Sequence, residues 1–373
     1  MELKEPWITL KKKFDILILE PKSIHWTSVE PYFKNLDKRI ALFAPEKSIE
    51  YSLNVNPKIY FLHFSILNFL KLFLIEFESV VVADRVFQLK FLKKSKKEYF
   101  KETLYLLIRF FFFYFKLRHK KIYITTHFVN GFKYHSPFTF LQKVDRLLWK
   151  KLLDRSKGFF VFSSLVKKEL EKETDKEVYF APNATFNFKT PQKDKRNRII
   201  KIIIPGRVDL RRRDYNWITR LEKFAHLDIN FLGRPYDKNS FLSAIKIEEK
   251  GYIQNFLNND NFIPTDKFNE EIESCDILFA PIKKLKNRQR AIDRNLGALF
   301  DAIRYGKPLI LPSHQPIPDE IKGSAIIYED TESLNELLNK LSDKEYLYEI
   351  KNKAIENSKS FNENFEEFWG LFN

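Results

Sequence analysis

The sequence is poor in cysteine and glycine. Its 373 residues include one cysteine, one methionine and nine glycines. The single cysteine, Cys275, excludes an internal disulfide framework and suits a reducing compartment. Neither a P-loop nor the spaced cysteines and histidines of a zinc site occurs, and the loop after the first apolar run has no G-x-G-x-x-G fingerprint. The sequence therefore excludes a disulfide-stabilised domain and offers none of these three binding motifs.

A secretory signal is also missing from the start of the sequence. Residues 1–13 are charged throughout, whereas a signal segment has a short basic region followed by an apolar one. Hydrophobic residues make up 44% of the chain, which is enough to bury a sizeable core. From the length and these absences we expect a cytosolic protein of two domains.

The positive charge is concentrated in one half of the chain. Residues 1–190 hold 35 Lys and Arg against 20 Asp and Glu, whereas residues 191–373 hold 30 against 29. These counts leave +15 and +1 of the total net charge of +16. A basic half joined to a neutral half indicates that the first half faces an anionic surface. Nucleic acid and the inner membrane leaflet are the two candidates.

Short continuous apolar runs predict the buried strands of parallel sheets. They occupy residues 14–19, 39–43, 58–62, 79–83, 121–128, 158–162 and 178–180, then 199–204, 227–232, 261–264, 277–280 and 308–311. Loops that follow such strands lie where open α/β sheets bind ligands. His25 and Trp26, in the loop after the first strand, are therefore either acceptor contacts or a packing pair.

The most unusual composition lies at residues 101–120. Its apolar, aromatic run from Leu104 to Leu117 contains Arg109 and Lys116 and is too short to span a bilayer. Basic residues flank the run on both sides, at Lys93, Lys94, Lys96 and Lys97 and at Lys116, Arg118 and Lys120. This pattern predicts either an interfacial helix on anionic lipid or a core helix that is apolar on most sides.

Residues 276–313 predict one strand–loop–helix–strand unit of a parallel sheet. A strand over 277–280 is followed by a basic loop, then by apolar residues at helical spacing, and Gly306 with Pro308 ends the helix. Asn295, Leu296 and Gly297 fall near the helix N-terminus. Unpaired N–H groups and the positive end of the helix dipole suit a phosphate at that position.

This stretch resembles the donor-binding segment of retaining nucleotide-sugar glycosyltransferases of the GT-B fold, the large bacterial family 4 type. That family has two glutamates with seven residues between them, the second opening a phrase like E-A-M-A-x-G-x-P. Here seven residues separate Asp293 from Asp301, which opens D-A-I-R-Y-G-K-P. Both carboxylates are one methylene shorter than in the family, and the family's glycine is displaced to Gly297. Without the resemblance, Asp293 would be a helix N-cap and Asp301 a solvated helix residue.

The resemblance implies roles for residues elsewhere in the chain. Gly206-Arg207 matches a G-R phrase that binds the donor diphosphate, and the lysine that follows it in the family is replaced by one of Arg211, Arg212 or Arg213. His127 matches a histidine that contacts the transferred sugar, with His135 as the second candidate, on the acceptor side. Asp301 would bind the ribose hydroxyls and Asp293 would lie near the donor sugar.

The resemblance also implies the architecture: an α/β protein with two Rossmann-like domains facing each other across a cleft. We expect an acceptor-binding domain over 1–188, a linker over 189–198, a donor-binding domain over 199–350, and a C-terminal helix over 351–373 that crosses back to the first domain. No Asp-x-Asp motif occurs, so we expect no metal and no cofactor besides the donor, with arginines and helix N–H groups neutralising the diphosphate.

The leading functional hypothesis is therefore a hexosyltransferase in bacterial surface polysaccharide synthesis. Its expected partners are a nucleotide sugar, a saccharide or lipid-linked acceptor, and an anionic membrane surface, with the protein peripheral at the inner face of the membrane. Two alternatives remain open at this stage. One is a nucleic-acid-binding protein that uses the basic aromatic half; the other is a GT-B nucleotide-sugar epimerase, which needs a donor but no acceptor.

Overall fold

The computed structural model describes residues 13–19, 38–44, 59–63, 65–83, 96–126, 140–181, 199–217, 220–222, 224–240, 253–255, 263, 265–284, 297–363, 368 and 370–372. The chain divides into two compact units. The first comprises Met1–Phe162, Val166–Asn183 and Phe365–Asn373, and the second comprises Ser163–Leu165 and Ala184–Asn364.

The first unit contains a seven-stranded parallel sheet. Its strands are β1 (Lys13–Leu19), β2 (Ile40–Ala44), β3 (Ile59–His63), β4 (Glu76–Ala83), β5 (Lys121–Thr125), β6 (Gly158–Val161) and β7 (Glu177–Phe180). They lie in the order β3-β2-β1-β4-β5-β6-β7, and every described pair is parallel. The helices are α1 (Ile66–Lys71), α2 (Lys96–Phe111), α3 (Phe140–Arg155) and α4 (Ser164–Leu170), of which the first two residues of α4 group with the second unit. A π-helical turn, Phe112–Lys116, continues α2.

The second unit contains a six-stranded parallel sheet. Its strands are β8 (Ile200–Pro205), β9 (Leu227–Leu232), β10 (Ile253–Asn255), β11 (Ile277–Phe279), β12 (Leu309–Pro312) and β13 (Ala325–Tyr328). They lie in the order β10-β9-β8-β11-β12-β13. The helices are α5 (Thr265–Ser274), α6 (Gly297–Tyr305), α7 (Thr331–Lys340) and α8 (Lys344–Glu363). This strand order is that of doubly wound dinucleotide-binding sheets.

The strands form where the sequence is continuously apolar, because both faces of each sheet are buried. In β8, for example, Ile202, Ile203 and Ile204 are all at most 1% exposed. The predicted strands agree with the structure to within about three residues wherever it describes them. The exception is the strand predicted over 261–264, which is wrong at its one described residue, Ile263. The edge strand is Ile253–Asn255 instead, and Asn and Pro around residue 263 fit a strand poorly.

The C-terminal residues Phe365–Asn373 group with the first unit, whereas α8 groups with the second. Phe368 and Phe372 pack their rings on Phe160 of β6, with centroids 4.8 and 5.9 Å away. Phe372 also contacts Tyr123 of β5, 5.4 Å between centroids. Burial of these rings holds the tail against the sheet. Within the residues that the structure describes, no helix has both the length and the apolarity to cross a membrane.

Candidate functional site

The strand order of the second sheet reverses between β8 and β11, which are hydrogen-bonded neighbours. Chain connections leave this point in opposite directions, so the carboxyl ends of the two strands border a crevice. Ligands of open α/β sheets bind in such a crevice. The residues that follow β8 and β11 are therefore the first place to search for a site, and Gly206 and Arg207 directly follow β8.

Two glycines bring the ends of β8 and β9 into close contact. Gly206 has φ of +87°, a conformation that a side chain disfavours, and its N–H donates to the Leu232 carbonyl at 2.8 Å. A Cβ on Gly233 would lie well inside the contact distance of the Gly206 carbonyl oxygen. Both positions require glycine for a backbone reason. Arg207 directly follows this close contact between the two strand ends.

The turn over residues 209–214 crosses from β8 to the end of β11. The backbone N–H groups of Arg212 and Arg213 both donate to the Asp209 carbonyl. Arg213 then forms an antiparallel bridge with Ile282, and the Asp214 N–H donates to the Pro281 carbonyl at 2.9 Å. This turn therefore places three consecutive arginines, Arg211 to Arg213, over the switch point.

The three arginines differ in their partners. Arg211 forms a bidentate pair with Asp209, with Nε to Oδ1 at 3.0 Å and Nη2 to Oδ2 at 2.9 Å, and its guanidinium lies 3.6 Å from the centroid of the Tyr236 ring. The pair lowers the pKa of Asp209, first through the side-chain hydrogen bonds from Arg211. The charge of Arg211 is thus already compensated. Arg212 is exposed, like Arg207, which lies 5.4 Å from the same ring.

Arg213 points into the switch point. Its Nη2 donates to the Pro205 carbonyl at 2.6 Å, at the last residue of β8. Its Nη1 is buried and has no hydrogen-bond partner among the described residues. A buried guanidinium nitrogen without a partner is costly, and an anionic or acceptor group at this position would satisfy it.

Asp301 lies close enough to Arg213 for the two charges to interact. It is half-buried on α6, the helix that begins at Gly297. Burial raises the pKa of Asp301 to about 7, and the nearby Arg304 and Arg213 oppose the rise. The folded-state pKa lies above the unfolded value. Ionisation of Asp301 therefore reduces the stability of the fold as pH rises from about 4 to 7. The reading of Asp301 as a solvated helix residue is therefore wrong.

The structure adds a second group of polar residues that the sequence analysis missed. His314 follows β12, and partial loss of hydration lowers its pKa, whereas a hydrogen bond that its ring donates to the Ile282 carbonyl opposes the shift. Asp214 interacts electrostatically with both His314 and Tyr328, and burial raises the pKa of Tyr328 above its ordinary range. Tyr328 ends β13 and His314 closely follows β12, whereas Asp214 ends the turn that leads from β8. The position of His314, soon after the strand predicted over 308–311, was the available signal.

Several predicted site residues lie outside the part of the chain that the structure describes: His25, Trp26, His127, His135, Asp293, Asn295 and Leu296. Strand β5 ends at Thr125, two residues before His127, and β1 ends at Leu19. In the described residues the structure brings together Gly206, Arg213 and Asp301. Across those same residues, no group of three or more His, Cys, Asp or Glu is placed to hold a metal ion.

Comparison with known proteins identifies the fold. No model of a known protein family matches the sequence, and no curated protein matches it. Among solved structures, the sucrose-phosphate synthase of Thermosynechococcus elongatus has a TM-score of 0.58 at 10% identity, with 96% of this chain and 98% of that chain covered.

Two further structures match at a TM-score of 0.50. One is a UDP-N-acetylglucosamine 2-epimerase, 11% identical over 92% of this chain and 91% of that chain. The other is the N-terminal domain of the Candida albicans trehalose-6-phosphate phosphatase, 10% identical over 96% and 95%. Likeness at these identities shows the fold alone. With the two parallel sheets, it confirms the predicted GT-B class of two Rossmann-like α/β domains.

Proposed function

We propose that this chain is a glycosyltransferase that moves a hexose from a nucleotide diphosphate sugar to a saccharide or lipid-linked acceptor. The observation that carries the proposal is the convergence of a partnerless buried guanidinium nitrogen of Arg213 and the carboxyl group of Asp301 at the switch point of the second sheet. A cation for phosphate and a carboxyl group for sugar hydroxyls, side by side, suit a nucleotide diphosphate.

In this proposal the diphosphate lies over Gly206, between Arg207 and Arg213. The positive φ of Gly206 keeps the backbone free of a Cβ there, so an anion can approach closely. Arg213 takes the place of the lysine of the resembled family, because Arg211 is committed to Asp209. The N-terminal end of α6 at Gly297, with Asn295 and Leu296 before it in sequence, adds N–H groups for the same phosphates.

The remaining roles rest on the family resemblance. Asp301 accepts hydrogen bonds from the ribose hydroxyls, Asp293 lies near the donor sugar, and His127 contacts the sugar during transfer. His25, Trp26 and His135 bind the acceptor. By the same resemblance we propose a retaining mechanism of the family 4 type and a place in bacterial surface polysaccharide synthesis, with the protein in the cytoplasm at the inner face of the membrane.

The raised pKa of Asp301 makes a prediction about pH. Ribose hydroxyls stabilise the carboxylate, so binding should lower its pKa, and the affinity for UDP or GDP should rise between pH 5.5 and 8. One unit of pKa change corresponds to about 1.4 kcal/mol, or about tenfold in affinity. Isothermal titration across this range measures the rise.

Asp301→Asn is the control for this measurement, because it keeps the side-chain shape and removes the titration. The phosphate of the nucleotide titrates in both proteins, so it cancels in the comparison. If the variant and the parent show the same pH profile, Asp301 does not contact the donor.

We also propose that no metal ion assists the diphosphate, which arginines and helix N–H groups would neutralise instead. Sugar transfer should therefore keep at least about half of its rate after dialysis against a chelator, because Arg207 and Arg213 would neutralise the phosphate charge without a metal. A loss of activity that added Mg²⁺ or Mn²⁺ restores would overturn this part of the proposal.

A donor screen tests the proposal as a whole. Thermal unfolding of the full chain is measured with UDP-, GDP- and ADP-sugars, because a ligand that binds the folded state stabilises it by mass action. One nucleotide class should raise the midpoint, and the free nucleoside at the same concentration should raise it less, because it carries no phosphate. No shift with any of the three, at millimolar ligand, would contradict the proposal.

An epimerase is the second candidate, since one similar structure is a UDP-N-acetylglucosamine 2-epimerase. An epimerase converts the donor without an acceptor, so NMR of a reaction with donor alone separates the two functions. Nucleic-acid binding, which the charge suggested, is tested by a gel shift at increasing salt. We propose no nucleic acid partner, because Arg207, Arg211, Arg212 and Arg213 lie at a strand end rather than along an exposed groove.

A further inference from the structure

Helix α2 and its π-helical turn divide their side chains in an unusual way. Toward the first unit they bury Leu106, Phe112, Phe113 and Leu117, and also Arg109, which is 1% exposed. Arg109 pairs with Asp145 of α3 at 3.2 Å. Six large apolar residues are exposed instead, and we call them the aromatic ridge: Leu104, Leu107, Phe110, Phe111, Tyr114 and Phe115.

The aromatic ridge is one continuous surface. Phe110 stacks on Tyr114 with ring centroids 6.2 Å apart, and Phe111 stacks on Phe115 at 6.1 Å. Edge contacts join the two stacks, at 5.9 Å for Phe110 with Phe111 and 5.3 Å for Tyr114 with Phe115. Phe115 is 67% exposed and Tyr114 57%. A contiguous exposed patch of this kind marks an interaction site, whereas scattered apolar residues do not.

The π-helical turn contributes to this division. The Leu117 N–H donates to the Phe112 carbonyl at 3.3 Å, which adds one residue to the turn. Within that turn Phe112 and Phe113 are both buried, while Tyr114 and Phe115 are both exposed. The turn ends the helix, and single π turns of this kind are frequent at functional positions. This helix buries an arginine and exposes phenylalanines, which is the opposite of the usual arrangement of a helix that faces water.

The charges around the aromatic ridge are positive. Residues 93–121 contain ten Lys and Arg and two Glu, and no acidic residue occurs from 103 to 121. Arg118 and Lys121, directly after the ridge, are exposed, and Lys120 lies 5.5 Å from the Phe77 ring. Burial, and next Lys120, lower the pKa of Lys116, and Glu76 of β4 is the carboxylate that opposes them.

We propose that the aromatic ridge inserts into an anionic lipid surface while the basic residues beside it contact the headgroups. Aromatic rings beside Lys and Arg are the composition of interfacial helices, which lie in the membrane plane and enter it by several ångströms. The excess of basic over acidic residues beside the ridge, with Glu76 the one carboxylate named near Lys116, complements anionic lipid rather than a zwitterionic surface. Membrane insertion is argued from the ridge and its charges. Only its role, which is to bring the protein to a lipid-linked acceptor, rests on the proposed function.

Vesicle co-sedimentation of the full chain tests the insertion. Vesicles of phosphatidylcholine with 30 mol% phosphatidylglycerol should bind at least about tenfold more tightly than phosphatidylcholine alone, because several basic residues act together. The double substitution Phe111→Ser with Phe115→Ser should reduce the affinity about tenfold or more. Ile199→Ser is the matched control, since Ile199 is 63% exposed and belongs to the second unit, and it should leave binding unchanged.

The charge contribution is measured separately. Arg118→Gln with Lys121→Gln should weaken binding roughly fivefold for each charge removed, with the loss shrinking as salt is raised. Lys322→Gln with Lys359→Gln removes the same net charge from exposed positions of the second unit and should have little effect. Equal losses from both pairs would mean that net charge, and not this surface, directs binding, which overturns the proposal.

A label reports insertion without depending on the Ser variants. The native cysteine, Cys275, is buried and its thiol pKa is raised to about 12, so a cysteine introduced by Phe115→Cys can be labelled selectively. An environment-sensitive fluorophore at that position should shift to the blue with anionic vesicles, whereas one placed by Ile199→Cys should not. The absence of a shift at position 115 would overturn the proposal.

Other outcomes are equally decisive. If light scattering shows a dimer that the Phe111→Ser, Phe115→Ser protein loses, and vesicles bind neither protein, the aromatic ridge is a contact between copies of the chain. If vesicles bind the double variant as they bind the parent, the ridge is not the contact. Nucleotide-induced stabilisation is measured in the same variants. The Phe111→Ser, Phe115→Ser protein should lose vesicle binding and keep nucleotide-induced stabilisation. Arg213→Ala should lose nucleotide-induced stabilisation and keep vesicle binding. The two variants thus separate failure of this inference from failure of the proposed function.

Discussion

Gly233→Ala should destabilise the second unit by at least about 3 kcal/mol, the upper range for overpacking a site that cannot relax. The added methyl group would overlap the Gly206 carbonyl oxygen, and two further Gly206 and Arg207 backbone atoms lie within 3.3 Å of it. These atoms are backbone in adjacent strand ends, so neither can rotate away. Urea unfolding followed by circular dichroism measures the loss as a lower midpoint.

Gly297→Ala is the matched control for this prediction. It makes the same chemical change in the same unit, but a Cβ at Gly297 meets nothing within 4 Å. Since alanine favours a helix by up to about 1 kcal/mol over glycine, the control should be neutral or slightly stabilising. Similar midpoints for Gly233→Ala and the parent would show that β8 and β9 do not approach each other as closely as described.

Arg213→Ala should weaken the binding of UDP or GDP by ~1.5–3 kcal/mol, roughly 10- to 150-fold, the usual worth of a charge-assisted hydrogen bond. The reason is that Nη1 of Arg213 is buried and has no described partner, while Nη2 of the same guanidinium donates to the Pro205 carbonyl and fixes its position. Arg207→Ala should fall in the same range. The free nucleoside should bind both variants as it binds the parent, because it carries no phosphate.

Two neighbouring arginines provide controls of identical charge. Arg212 is exposed, and Arg211 is held by Asp209, so alanine at either position should cost a fewfold in affinity at most. Arg213→Ala should in addition raise the pKa of Asp301, since Arg213 lowers it in the parent. The pH profile of binding would then move upward. If Arg211→Ala causes the large loss and Arg213→Ala does not, the assignment of the diphosphate site is wrong.

The aromatic run at residues 104–117 shows how much the tertiary structure added. Its composition was compatible with a core helix or an interfacial one, and the structure contains elements of both. Phe112 and Phe113 join the core of the first unit, while Phe111 and Phe115 remain exposed. Six consecutive aromatic positions, residues 110–115, have no period, so the sequence alone could not decide which of them face outward.

The sequence by itself determined eleven of the thirteen described strands, all except β10 and β13, and the turns at Gly206 and Gly306. Apolar runs, helix periodicity and glycine conformations are local properties, and a strand buried on both faces must be apolar along its whole length. The resemblance added the region of the donor site, at the ends of β8 and β11.

Only the tertiary structure decided which arginine is held by an acid and which has a buried nitrogen with no described partner, and that Asp301 is half-buried beside Arg213. Arg211, Arg212 and Arg213 are consecutive and chemically identical, so nothing in their sequence distinguishes them. Their difference arises because the turn after β8 directs one side chain to Asp209 and another to the strand end. The pKa of Asp301 likewise depends on hydration and on charges far away in sequence, which are set when the chain folds.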